Sequence, residues 1–160
     1  MSEFNISFAQ HMSDASLLIT QNASIKDESE RAAIYTALVA CEIALKSALE
    51  CSGKSLSQIP KTHSLSKLLN LVCSCTVLED ITNGKLTRVP AVRLRGVVID
   101  SNYTDATVGN LLELEKYGVS VFPNEIRYGD TLNHFPVELI QKLSSKIISW
   151  VKLHADNIKA

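Results

Sequence analysis

The chain has 160 residues, of which 46% are hydrophobic and 21% charged; a chain of that length removes about two-thirds of its unfolded surface from water as one domain. Such a composition excludes a disordered polymer. Sixteen Lys and Arg against 17 Asp and Glu leave a net charge of -1, which excludes coating of nucleic acid by bulk electrostatics and leaves room only for a local basic patch.

Taken in chain order, Phe4, Phe8, Ala15 and Leu18 recur at helix-like intervals over roughly Asn5 to Gln21. Asn22-Ala23-Ser24 then leads into a capping box, Ser24 with Asp27, and an acidic first turn. One long helix is expected from there to about Cys51. Its stripe is Ile34, Leu38, Cys41, Leu45 and Leu49, flanked by alanines that let a neighbouring helix approach closely. Ser52-Gly53 ends it, because glycine readily takes the left-handed cap conformation. After Pro60 a third helix starts near Ser64, with Thr62 or Ser64 as cap and Leu65, Leu68, Leu69 and Val72 on one face.

From Thr76 to Asn102 the pattern is compatible with a helix, a strand or an irregular insertion. Asn83-Gly84 is a turn signal there, and Arg88, Arg93 and Arg95 form a local basic cluster. Helix returns from about Asp105 to Tyr117, capped by Thr104 or Asp105 and closed by Gly118. A polar loop runs from Pro123 through Gly129 to Asn133. The last helix starts at Pro136 and carries Ile140, Leu143, Ile147, Trp150, Val151, His154 and Ile158. These elements imply a single all-α domain over residues 1–160, an antiparallel bundle of four to five helices.

The N-terminal stretch lacks the basic and apolar blocks of a secretory signal, and Glu42 and Lys46 interrupt Ala32–Leu49, so no membrane span is expected. Cys41, Cys51, Cys73 and Cys75 form no C-x-x-C and have no histidine at ligand spacing. Reduced thiols, a cytoplasmic location and no metal or cofactor are the expectation. There is no phosphate-cradling glycine loop, no nucleophile elbow and no H-E-x-x-H.

Chemistry is therefore sought at the four histidines. His11 reads as part of a solvated face, His63 as part of a helix entrance, and His154 as a hydrogen-bonded core or interface residue. His134 differs. It follows Arg127 by seven positions and stands just before Pro136, near the start of a helix whose backbone N–H groups favour an anion. An arginine that holds a phosphate, with a histidine as general acid or base, suffices for metal-independent RNA cleavage by the substrate's own 2′-OH. Tyr128 stands within the same segment as a substrate contact, and Asn133 either orients His134 or contacts phosphate, with capping of the last helix its simpler role; Arg93 and Arg95 are guides for the RNA backbone, and a solvated face or ion pairs within the chain account for those arginines equally well.

Three stretches carry a family resemblance: the alanine-rich Arg31–Leu49, the segment Pro60-Lys61-Thr62-His63-Ser64-Leu65-Ser66-Lys67-Leu68-Leu69, and Ile126-Arg127-Tyr128 ahead of the final helix. In order and spacing the chain resembles the HEPN domains. The resemblance implies a helical bundle and usually a homodimer. It implies a metal-independent endoribonuclease, in toxin–antitoxin or antiviral settings, with Arg127 and His134 as the catalytic pair at the dimer interface. It also implies an alternative, a non-catalytic interaction or nucleotide-binding module. Candidate partners are RNA, a cognate antitoxin and a nucleotidyltransferase. The chain departs from the family pattern at Gly129, where a proline is usual, and at Pro136, where members modified by a nucleotidyltransferase carry tyrosine.

Overall fold

The computed structural model describes residues 2–22, 26–103, 105–113 and 136–160. Helix α1 spans Ile6–Gln21 and is capped by Asn5, whose Oδ1 accepts from the Ser7 N–H at 2.8 Å. Its buried face is Ala9, Ser13 and Ser16, whereas Phe8 and Leu18 lie more than half exposed. Two of the four expected stripe residues are thus on the outside, while Phe4 and Ala15 are part-buried, and α1 packs through these small side chains together with Ile6, Met12 and Ile19.

Helix α2, Lys26–Cys51, is the central element and touches α1, α3 and the last helix. The Ser24–Asp27 capping box lies outside the described residues. Ile34, Leu38, Cys41, Leu45 and Leu49 are all buried, as are Ala33, Ala37, Ala40, Ala44 and Ala48 beside them. Burying each large aliphatic side chain stabilises the fold by about 1.5–3 kcal/mol before entropy is counted. Gly53, at φ +95, ends the helix as expected, with the Lys54 N–H bonded to Leu49 O at 3.3 Å. Contrary to the expectation from its two charges, Glu28–Cys51 is long and apolar enough to cross a membrane, with mean hydropathy 1.5. Two-thirds of that apolar window (67%) is buried inside the protein, and the two charges lie against each other.

Helix α3, Leu65–Cys73, is capped by Ser64, whose Oγ accepts from the Lys67 N–H at 3.3 Å. Leu65, Leu68, Leu69 and Val72 are fully buried.

The expectation of an all-α bundle is overturned in the next segment. Strands β1, Thr76–Thr82, and β2, Lys85–Pro90, pair antiparallel from Thr76↔Pro90 to Thr82↔Lys85. The fold is therefore mixed: five α-helices and one 3-10 helix with a two-stranded sheet among the described residues. The cause is local. Asn83 and Gly84 both take positive φ, +48 and +85, as a type I′ hairpin turn demands, and β-branched Ile81 and Thr82 precede them. An isolated hairpin is marginal in water, and this one is tied at its base. Thr76 and Lys159 exchange two backbone hydrogen bonds of 2.7 and 2.9 Å, and the Leu78 N–H donates to Asn157 Oδ1 at 3.0 Å.

A 3-10 turn, Ala91–Gly96, leads to helix α4, Val108–Glu113. Thr107 serves its first turn, its Oγ1 accepting from the Asn110 N–H at 3.2 Å; of the two expected caps, Thr104 lies outside the described residues and Asp105 stands three residues before the helix. A Cβ on Gly109 would lie 3.0 Å from Arg95 Cβ, so glycine here permits the close approach of α4 to the 3-10 turn. The rest of the expected helix, to Tyr117, lies outside the described residues.

Helix α5, Val137–His154, follows Pro136, which stands at the cap itself. Ile140, Leu143, Ile147 and Val151 are buried against α1 and α2, and Ile158 is buried beyond the helix end. A polar seam threads the α1–α5 contact. Ser16 Oγ donates to Ala33 O at 2.7 Å, Gln141 Nε2 donates to Ser16 O at 3.0 Å, and the hydroxyls of Ser13 and Ser144 meet at 2.7 Å. Ser144 donates to Gln141 O at 2.8 Å, so Ser13 is the donor between the two serines. We expect Gln141→Ala to cost about 2 kcal/mol in urea unfolding, from lost hydrogen bonds and a cavity, with exposed Glu138→Ala within about 0.5 kcal/mol of the parent.

Candidate functional site

Arg127, Tyr128, Asn133 and His134 lie outside the described residues. The described chain resumes at Pro136, with Val137 buried at the start of α5. Arg93 and Arg95 sit two residues apart on the 3-10 turn, and each is held by a different element. Arg93 Nη1 is 2.7 Å from Glu79 Oε2 on β1, whereas Arg95 Nη1 is 3.1 Å from Glu113 Oε1 on α4. Arg95 also donates to Asn70 Oδ1 on α3. Arg88 turns back onto the hairpin base, donating to Thr76 O at 3.2 Å and Asn157 O at 3.0 Å. The three arginines are not brought together into one patch. Each is engaged within its own chain.

Sequence reasoning missed a second constellation. Glu42 and Lys46, buried on α2, pair at 2.8 Å, and Glu42 Oε2 stands 3.0 Å from His63 Nδ1. The signal was legible: two opposite charges four residues apart inside an apolar helix face the same way and neutralise each other. A carboxylate offers no proton, so His63 donates to it from Nδ1. The His63 side chain is half exposed (53%) where Glu42 is not, so the carboxylate orients an imidazole that meets solvent. The Lys46 ammonium also lies 5.4 Å from the centre of the Phe4 ring. The N-terminal arm is fastened there by Glu50, whose carboxylate accepts from the Glu3 and Phe4 N–H groups at 3.1 and 3.0 Å.

A cleft of about 560 Å³ opens between the hairpin, the 3-10 turn and the end of α5. Leu78, Leu86, Val97, Trp150 and Leu153 form its apolar wall, and Glu79, Asp80, Arg93, His154 and Asn157 bring polar groups to it. His154 is buried as the sequence implied, but its Nδ1 has no hydrogen-bond partner. Its ring leans on Trp150, with centroids 4.6 Å apart.

The cysteines lack the surroundings of a nucleophile. Burial pushes the Cys41 thiol far above the ordinary range. Burial also raises Cys51, with Glu50 and Asp156 adding to it, and raises Cys73 despite the nearby Arg95. Cys51 alone of the four is exposed. Iodoacetamide at mildly alkaline pH is expected to label Cys51 first, more slowly than a free cysteine, and Cys41 only on unfolding; peptide mass mapping checks the order. No group of three His, Cys, Asp or Glu side chains converges to hold a metal ion among the described residues.

No family model, curated protein or solved structure matches the chain.

Proposed function

We propose that this chain is a HEPN-type, metal-independent endoribonuclease that acts as a homodimer in the cytoplasm. The observation that carries the reading is Arg127 followed by His134, with that pair ending two residues before the Pro136 cap of α5. In this reading the Arg127 guanidinium grips the scissile phosphate and stabilises the charge that grows on it. His134 takes the proton from the 2′-OH as that oxygen attacks phosphorus and passes it to the departing 5′ oxygen. Asn133 and Tyr128 contact the same nucleotide. A two-fold axis makes one composite cleft of the two pairs. A toxin or antiviral setting, with an antitoxin or nucleotidyltransferase partner, belongs to the same proposal.

A second reading, a non-catalytic interaction or nucleotide-binding module, is favoured by one specific observation. Arg88, Arg93 and Arg95 are all engaged within the chain, so RNA guidance by them requires breaking those contacts. Incubation of end-labelled single-stranded RNA and tRNA with the protein in EDTA separates the two. Cleavage that depends on His134 supports the nuclease, and intact RNA supports the module.

A further inference from the structure

We propose that the cleft beneath the hairpin is a binding site for a small organic cation, an amine on an apolar or aromatic body. This goes beyond either reading above and rests on neither.

Native proteins leave few buried polar atoms without a hydrogen bond, and each exception calls for a reason. Among the described residues two buried side-chain atoms lack one, Glu79 Oε2 and His154 Nδ1. They come from elements far apart in the chain, β1 and the end of α5, yet both residues line the same cleft. His154 is only 6% exposed. Arg93 Nη1 stands 2.7 Å from Glu79 Oε2, but without the alignment that a hydrogen bond needs. The Arg93 side chain is 61% exposed, so its end of the ion pair meets solvent, whereas that of Glu79 is only 14% exposed.

The chemistry of the ligand follows from what the cleft lacks. A carboxylate accepts and never donates, so a ligand that takes the place of Arg93 at Glu79 brings an N–H donor. Glu79 and Asp80 outnumber Arg93 among the charged lining residues, so the site selects against anions and favours a cation. The imidazole of His154 offers its unpartnered Nδ1 to the ligand. Leu153, Val97 and the Trp150 ring provide an apolar wall for the body, with the indole face suited to a cation. The volume, about 560 Å³, is that of a site for a small molecule. The hairpin is anchored at its base while Leu86 near its tip stays 63% exposed, and the amine enters by displacing Arg93 from Glu79.

Trp150 is the protein's one tryptophan, which makes its fluorescence a reporter of this wall. The test titrates the whole chain with three probes that share a phenyl body: phenethylamine, 2-phenylethanol and phenylacetate. The expected result is a saturable change in Trp150 emission with phenethylamine, Kd on the order of 1 mM for so small a ligand. 2-Phenylethanol should bind about tenfold more weakly, and phenylacetate more weakly still. Glu79→Gln and His154→Leu should each weaken phenethylamine about tenfold while the far-UV circular dichroism is kept. Should His154→Leu fail to fold, Glu79→Gln alone decides. No saturable change, an equal response to the three probes, or phenethylamine binding that survives Glu79→Gln in the folded protein overturns the proposal. His134→Ala is expected to leave the titration unchanged, which keeps this test separate from that of the nuclease.

Discussion

RNA cleavage in EDTA is expected to fall about 10²–10⁴-fold on His134→Ala, the usual contribution of a positioned acid or base, with circular dichroism and melting midpoint unchanged. Lost cleavage beside an unchanged fold separates chemistry from structure. Arg127→Ala should be as damaging. Arg127→Lys should recover only part of the loss, since an ammonium keeps the charge but not the two-pronged grip on a phosphate. Mixing the two single variants adds a check on the homodimer. If Arg127 and His134 of different copies complete one cleft, His134→Ala mixed with Arg127→Ala regains activity above either alone. If each copy works with its own pair, the mixture stays dead. Cleavage that persists undiminished in His134→Ala assigns the activity elsewhere and sinks the nuclease role given to this pair.

Much of the helical frame was legible because its signals are local and periodic. The α2 stripe, the Gly53 terminator, the Ser64 cap and the apolar face of α5 each follow from spacing along one helix, and each is found in the structure. The hairpin was not read although Asn83-Gly84 marked its turn, because β1 and β2 leave most of their length exposed and show little burial alternation. Only Val77 of β1 is buried, so periodicity carried almost no strand signal. On α1 hydrophobicity misled: Ser13 and Ser16 are buried because their hydroxyls have partners on α5 and α2, a fact of tertiary contact that no spacing rule contains. The arginine cluster shows the same limit. Nearness in sequence brought Arg93 and Arg95 into one candidate surface, but the 3-10 turn sends them to Glu79 and Glu113. Of the candidate site, the residue types and spacing were visible in the chain, and the paired carboxylates were not.

Loss of about 3 kcal/mol is expected from Glu42→Ala in urea unfolding followed by Trp150 fluorescence, because the variant leaves the Lys46 ammonium buried without its counter-charge. Glu42 and Lys46 side chains are only 11% and 10% exposed, so water compensates little of that loss. Glu42→Gln keeps the shape and one acceptor oxygen and should cost less, about 1–2 kcal/mol. The decisive comparison is the double variant Glu42→Met with Lys46→Met. Replacing both partners by apolar side chains of similar length removes the desolvation of two charges together with their attraction, so its stability should fall within about 1 kcal/mol of the parent. A double variant as damaged as Glu42→Ala would mean that the pair holds more than itself. His63 is then the first candidate, since Glu42 also fixes that imidazole at the entrance to α3, and His63→Ala in the parent would reproduce the excess. A double variant at parental stability would instead place the value of this buried pair in the orientation of His63, not in the strength of the fold.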